Sequence, residues 1–405
     1  MKALTIITVL FFSTLTLFAQ NKDKGKFVEY EPGFYQNSIL KDVNAINENL
    51  KPIKKEKHFF MDHSDLSFPS KLSDYTIIWH SPSHSQGNAG TCWCYGGTSF
   101  FESEAYRLYN KEVRISEIHT VYWEYIEKAK QYVRTRGNSE FSQGSQANAV
   151  TRMFDMYGAV PETEYTGLLH GRKYHSHDAM FNEMMNYLKS VKNSNAWNEE
   201  LVVATIKSIL NHYLGEPPSS FKYEGKEYTP KTWLSDYLKI NTENYIDILS
   251  IMQEPEGENA TYPVPDNWWN SDTYYNVKLD EFMNLLNKAL QNGYSLAIGG
   301  DVSESGFVRN TQAAAIPDYD IPSAYINDYA RQFRFSNKST TDDHIMHIVG
   351  YKKHKGDMWY LVKDSSSGSR NNNPEAAEFG YYFFHEDYIK LKILTFTVHK
   401  DLLEL

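Results

Sequence analysis

The stretch Gln86-Gly-Asn-Ala-Gly-Thr-Cys92-Trp93-Cys94-Tyr95 holds both cysteines of the chain. Trp93, Gly97, Phe100, Phe101, Ala105 and Leu108 follow at spacings of three and four, so Cys92 opens an amphipathic helix over 92–110. A helix N-terminus carries unpaired N–H groups and a partial positive charge. Both favour a thiolate, the nucleophilic form of cysteine. Gly87 and Gly90 let the backbone turn tightly ahead of it. Gln86, six residues upstream, brings an amide that can donate to a developing oxyanion. A cysteine taken alone is more often a buried filler than a nucleophile. Its neighbours decide the reading here.

A nucleophilic thiol needs a base, and the base needs a third group to hold it. Among fourteen histidines, His344 in Asp342-Asp343-His344-Ile345-Met346-His347 opens an apolar, strand-like run. His347 lies at an odd offset and falls on the opposite face of that strand. The next strand, Trp359–Lys363, runs into Asp364-Ser365-Ser366-Ser367-Gly368. No Cys/His group has metal-ligand spacing, and no cofactor or metal is expected.

These motifs resemble those of papain-like cysteine peptidases, and within them the bleomycin hydrolase/aminopeptidase C group. The Gln86-x5-Cys92-Trp93 stretch resembles the family's nucleophile motif. The family's second Cys, three residues before the nucleophile, is Ala89 here, so that disulfide cannot form. Cys94 reads as a small buried hydrophobe. Asp343-His344 followed by Val349-Gly350-Tyr351 resembles the His motif. Asp364 stands at the family's Asn. Ser366 replaces the Trp that shields that contact, which implies a wetter, weaker His–Asp pair. Gln143-Gly144-Ser145-Gln146 resembles the glycine stretch lining the substrate cleft, with Ser145 at its second glycine, a change expected to narrow the cleft. Gly380–Tyr388 resembles the group's C-terminal end. The resemblance implies catalytic roles for Cys92, His344, Asp364 and Gln86, and substrate contacts at Gly144, Ser145 and Asp343.

The elements that must position these residues follow from periodicity and turn signals. Residues 2–19 carry one Lys, a short apolar core and a small residue before Gln20, as a secretory signal peptide does. No later segment is apolar enough to span a bilayer. A secreted or periplasmic protein is therefore expected. Residues 21–57 read as a flexible leader or a propeptide-like segment. Residues 58–165 carry Cys92, with helices expected over 115–134 and up to Tyr157. Residues 166–276 read as a mainly helical insertion, from the stripes Met180-Phe181-Met184-Met185-Leu188 and Leu201-Val202-Ile206-Ile209-Leu210. His344 lies 252 positions after Cys92, against about 130–150 in short papain-like enzymes. An insertion of that size accounts for the excess. Residues 277–405 carry a helix over 278–291 and successive short strands, so an antiparallel sheet or barrel is expected. The implied class is α+β, a papain-like fold with a helical left domain and a barrel-like right domain.

A net charge of −10 argues against a nucleic-acid partner. A peptide or protein substrate is implied, and the family resemblance admits an oligomer. Three readings stay open: a cysteine peptidase, an amidase on other amides, and a papain-fold protein that binds peptides without cleaving them. After the last expected strand, 393–398, only seven residues follow. That leaves no C-terminal arm to enter the cleft, and blocked peptides should be accepted.

Overall fold

The computed structural model describes residues 23–44, 57–366 and 373–404. The expected signal peptide lies outside them, as do much of the leader and Ser367-Gly368.

The helical half is built around Cys92–Tyr109, packed on Glu117–Arg134 and Asn148–Tyr157. Local chemistry sets the ends of these helices. Ser116 accepts the N–H of His119 at 3.1 Å and caps the second helix. Gly158 ends the third at φ 76°, where a side chain would be strained. A Cβ there would also meet the Pro230 backbone at 2.3 Å. Asp178–Asn193 and Glu199–Leu214 bury Met180, Met184, Leu188, Val202, Ile206 and Leu210 in the same core.

The sheet half centres on the strand His344–His354. It pairs antiparallel with Leu296–Gly300, with His344 opposite Gly300, and with Asp357–Lys363, where His347 faces Lys363. Tyr381–His385 continues one side; Ile393–His399 and then Tyr245–Leu249 continue the other. Among the described residues ten strands form an open path and Thr76–Ile77 pairs off it with His344–His354, so the expected barrel is an open sheet. Leu279–Gln291 covers one face through Phe282, Leu286 and Leu290. Gly96 and Gly97 let the Cys92 helix lie close to its neighbours. A Cβ on Gly96 would meet Ile345 at 3.0 Å, and one on Gly97 would meet Val150 at 2.7 Å. That close approach brings the Cys92 helix to the strand that carries His344.

Two expectations need refining. The insertion has helices at Asp178–Asn193, Glu199–Leu214 and 230–238, and it also lends strands. Tyr245–Leu249 and Tyr274–Asn276 add to the main sheet: Tyr245–Leu249 buries Ile248 and Leu249 and pairs antiparallel with Ile393–His399, and Tyr274–Asn276 pairs parallel with Tyr245–Leu249. The leader is also not loose where it is described. Gly25–Glu29 pairs with Lys57–Met61, and a helical stretch covers residues 35–44.

Candidate active site

Cys92 is the first residue of its helix, and the N–H groups of Cys94 and Tyr95 both turn back to the Thr91 carbonyl. It is partly exposed, whereas Cys94 is fully buried, and both are free thiols. Burial pushes the Cys94 thiol well above its ordinary range, and its Sγ donates to the Glu117 carbonyl at 3.2 Å. Gly90, just before the nucleophile, donates its N–H to Gln143 Oε1 at 2.8 Å.

His344 starts its strand with one ring nitrogen, Nε2, 2.7 Å from Asp364 Oδ1. Carboxylate acceptance puts the proton on Nε2 and leaves the other nitrogen for Cys92, the ring's second hydrogen-bonding partner. Burial works against a charged imidazole here, but the charges of Asp364 and Cys92 carry its pKa well above 6.5. Burial likewise opposes the Asp364 carboxylate. The His344 charge and two bonds from Ser366 hold it well below the usual range. Those bonds run from Ser366 N–H to Oδ1 at 3.1 Å and from Ser366 Oγ to Oδ2 at 2.5 Å.

The missing tryptophan therefore has a different consequence from the one expected. Asp364 is 1 % exposed and His344 8 % exposed, so their contact is dry. Ser366 braces the carboxylate directly. The loop before Cys92 seals the other side: Ser83 Oγ donates to the Asp364 carbonyl at 3.0 Å, and Gln86 N–H donates to the Ser365 carbonyl at 3.0 Å.

Ser365 Oγ donates to Gln86 Oε1 at 2.7 Å, which fixes the orientation of the amide. Gln86 Nε2 then donates one N–H to the Ala89 carbonyl at 2.6 Å, and its second N–H remains for an oxyanion. His347 is the other histidine of the strand. It bonds Ser99 Oγ at 2.8 Å through Nδ1 and is buried against the Cys92 helix.

The residues expected to touch substrate fare unevenly. Gly144 has its carbonyl held by Lys128 Nζ from behind, and a Cβ on it would meet the Asp266 carboxylate at 2.2 Å. Ser145 turns inward. Its Oγ donates to Glu124 Oε1 at 2.7 Å, so its side chain does not narrow the cleft. Asp343 is exposed, and it accepts from Val302 N–H at 3.0 Å and from Ser303 Oγ, which ties it to the 301–303 loop. Sequence reading missed Ser365 and Ser366 as braces and Gln143 as the partner of Gly90. Polar residues directly after Asp364 were the available signal for the first two. Among the described residues, no group of three or more His, Cys, Asp or Glu is arranged to hold a metal ion.

The arrangement joins a thiol at a helix start, a buried imidazole–carboxylate pair and an amide donor. That set can perform acyl transfer. The profile of the Peptidase C1-like family matches residues 75–404. The chain is 21 % identical over 381 residues to Aminopeptidase C of Listeria monocytogenes, which covers 82 % of this chain and 84 % of that protein. It is 21 % identical over 376 residues to Aminopeptidase C of Lactococcus lactis subsp. cremoris, covering 83 % and 85 %. Among solved structures it is similar to PepW of Lactobacillus rhamnosis, with a TM-score of 0.60 at 17 % identity over 82 % of this chain and 83 % of that one. That likeness shows a shared fold.

Proposed function

The chain belongs to the Peptidase C1-like family and is a papain-like cysteine peptidase, and on that premise we propose that Cys92 and His344 carry the reaction in an exported enzyme. The observation that supports this most is the buried 2.7 Å contact between His344 and Asp364 beside a helix that opens with Cys92.

In this reading the Cys92 thiolate attacks the scissile carbonyl carbon, and a C–S bond forms. Charge moves to the carbonyl oxygen, which meets the Cys92 N–H and the free N–H of Gln86. The His344 imidazolium gives its proton to the leaving nitrogen as the C–N bond breaks. Water then attacks the thioester, His344 takes a proton from it, and the C–S bond breaks. Asp364 keeps the ring aligned throughout.

Kinetics of single variants on a fluorogenic peptide test this account. Cys92→Ala and His344→Ala should abolish turnover. Gln86→Ala should lose on the order of a hundredfold in kcat, the usual cost of one oxyanion donor. Unchanged turnover in Cys92→Ala would end the proposal. Labelling with a thiol-reactive epoxide separates the peptide-binding alternative, in which Cys92 reacts no faster than a free thiol at neutral pH.

Export rests on residues 2–19, and N-terminal sequencing of protein recovered outside the cytoplasm is its test. An N-terminus still at Met1 would overturn it.

A further inference from the structure

Beside the catalytic residues lies a cavity of about 240 Å³, lined by Tyr35, Gln86, Asn88, Asp178 and Ser366 among others. The leaving nitrogen must face His344 to be protonated. On the cysteine peptidase reading, the substrate beyond the scissile bond passes His344 and the adjoining edge formed by Gln86 and Ser366. The cavity sits on that edge.

Its wall comes from an unexpected quarter, the described part of the N-terminal segment. Tyr35 OH donates to Asn88 Oδ1 at 2.6 Å. Asn88 is itself fixed: its Nδ2 donates to Ser176 Oγ and to Asp178 Oδ2, both at 3.1 Å, and its backbone bonds His175 and His177. The segment is seated at both sides of Tyr35. Asp23 and Asp318 exchange backbone-to-carboxylate bonds at 2.9 and 2.8 Å. Phe34 meets Phe379 and Tyr174 edge-on at 5.1 and 6.0 Å. Lys173 N–H reaches Asp42 at 3.3 Å. Cys92 nevertheless stays partly exposed. The segment thus borders the cleft without stopping it.

Among the described residues that line the cavity, Asp178 is the charged one, and it accepts from Asn88. We infer that this cavity is the leaving-side subsite, that Tyr35 is its specificity-determining wall, and that it takes peptides carrying a basic side chain just beyond the scissile bond. The inference rests on the cysteine peptidase reading of Cys92 and His344.

The test uses the full chain and quenched peptides identical up to the scissile bond, followed by Lys, Ala or Glu. An amide of a small fluorophore, with no residue beyond the bond, is the control. Lys should exceed Glu by roughly three- to fivefold in kcat/KM, the scale of one exposed charge pair. Asp178→Asn should erase that preference. Tyr35→Ala should raise KM for the extended peptides about tenfold, the scale of a lost aromatic contact and hydrogen bond, with kcat kept. The fluorophore amide should change by less than about twofold on that same basis.

Equal rates for Lys and Glu, or a Tyr35→Ala that weakens both substrate types alike, would overturn the inference. Binding of the same peptides to the Cys92→Ala protein is measured beside turnover. If the fluorophore amide is not hydrolysed at all, the catalytic reading fails, and a Lys-over-Glu order in binding still decides this one.

Discussion

Asp364 is the residue whose identity departs most from the motif that it occupies, and its surroundings explain how a carboxylate is tolerated there. It is buried, yet it accepts the His344 N–H and both donors of Ser366. An asparagine would keep the Oδ1 acceptor and let the Ser366 hydroxyl turn to accept. We expect Asp364→Asn to stay within about tenfold of wild-type turnover, the difference between a charged and a neutral hydrogen bond. Its alkaline activity limb should move to lower pH, because the imidazolium loses its counter-charge. Stability should follow the same pair. The raised pKa of His344 gives stabilisation that is complete below 6.5 and lost as pH climbs toward the folded value. The depressed pKa of Asp364 gives stabilisation that is complete above 3.8 and lost as pH falls. The gap in melting temperature between wild type and Asp364→Asn should therefore be widest between those two values. An activity loss as deep as that of His344→Ala would show that the charge itself is used.

Between elements, one arginine does what no local motif could announce. Arg114 lies in the turn between the Cys92 helix and Glu117–Arg134. It reaches Glu102 at 3.3 Å, Glu117 at 3.4 Å and Glu162 at 3.4 Å. It also donates to Ser81 Oγ, the Pro82 carbonyl and His84, in the loop that leads to Gln86. Glu102 and Glu117 are buried, and removal of Arg114 leaves them, among the described residues, with only Lys363 and His84 as cationic neighbours. Arg114→Ala should cost about 3–5 kcal/mol of stability by denaturant unfolding, the usual range for breaking a buried pair. Lys363 adds a second tie, donating to the Ser81 carbonyl at 2.7 Å and Ser99 Oγ at 2.8 Å. The loop carrying Gln86 is thus fastened to both halves of the fold. A loss below about 1 kcal/mol, the scale of an exposed pair, would mean that solvent reaches the cluster.

At the scale of the whole molecule, the cleft's two ends are treated differently. The N-terminal segment borders the Gln86 edge, through Tyr35 and Asn88. The turn at Lys400–Glu404 is spent elsewhere: Leu402 is fully buried with Phe282 and Leu286 against the sheet. Cys92 stays partly exposed beside the described chain, so we expect an N-acylated fluorogenic peptide to be hydrolysed alongside its free-amine counterpart. Cleavage of the free-amine peptide alone would mean that another element closes the far end and that the enzyme trims only from N-termini. No helix among the described residues is long and apolar enough to cross a membrane.

The chemistry-bearing residues were legible because each sits in a short local pattern. Cys92 follows a glycine-bearing turn and opens a 3.6-period run, His344 opens an apolar strand, and Asp364 ends the next one. Periodicity tells which face of an element is buried, and short motifs tell which group is presented; both are local properties. What those faces are buried against is not. The dryness of the His344–Asp364 contact depends on Ser83 and Gln86, and Ser365 bonds Gln86 from 279 positions away. Ser145 turns inward because Glu124, on another helix, offers an acceptor. The strand at Tyr245–Leu249 joins the sheet because a distant edge was open to it, and Tyr35 reaches the cleft because Asn88 holds its hydroxyl. Such contacts form only when the chain closes long loops on itself, so tertiary structure decided the shielding and the bracing of candidate residues that local patterns had already singled out.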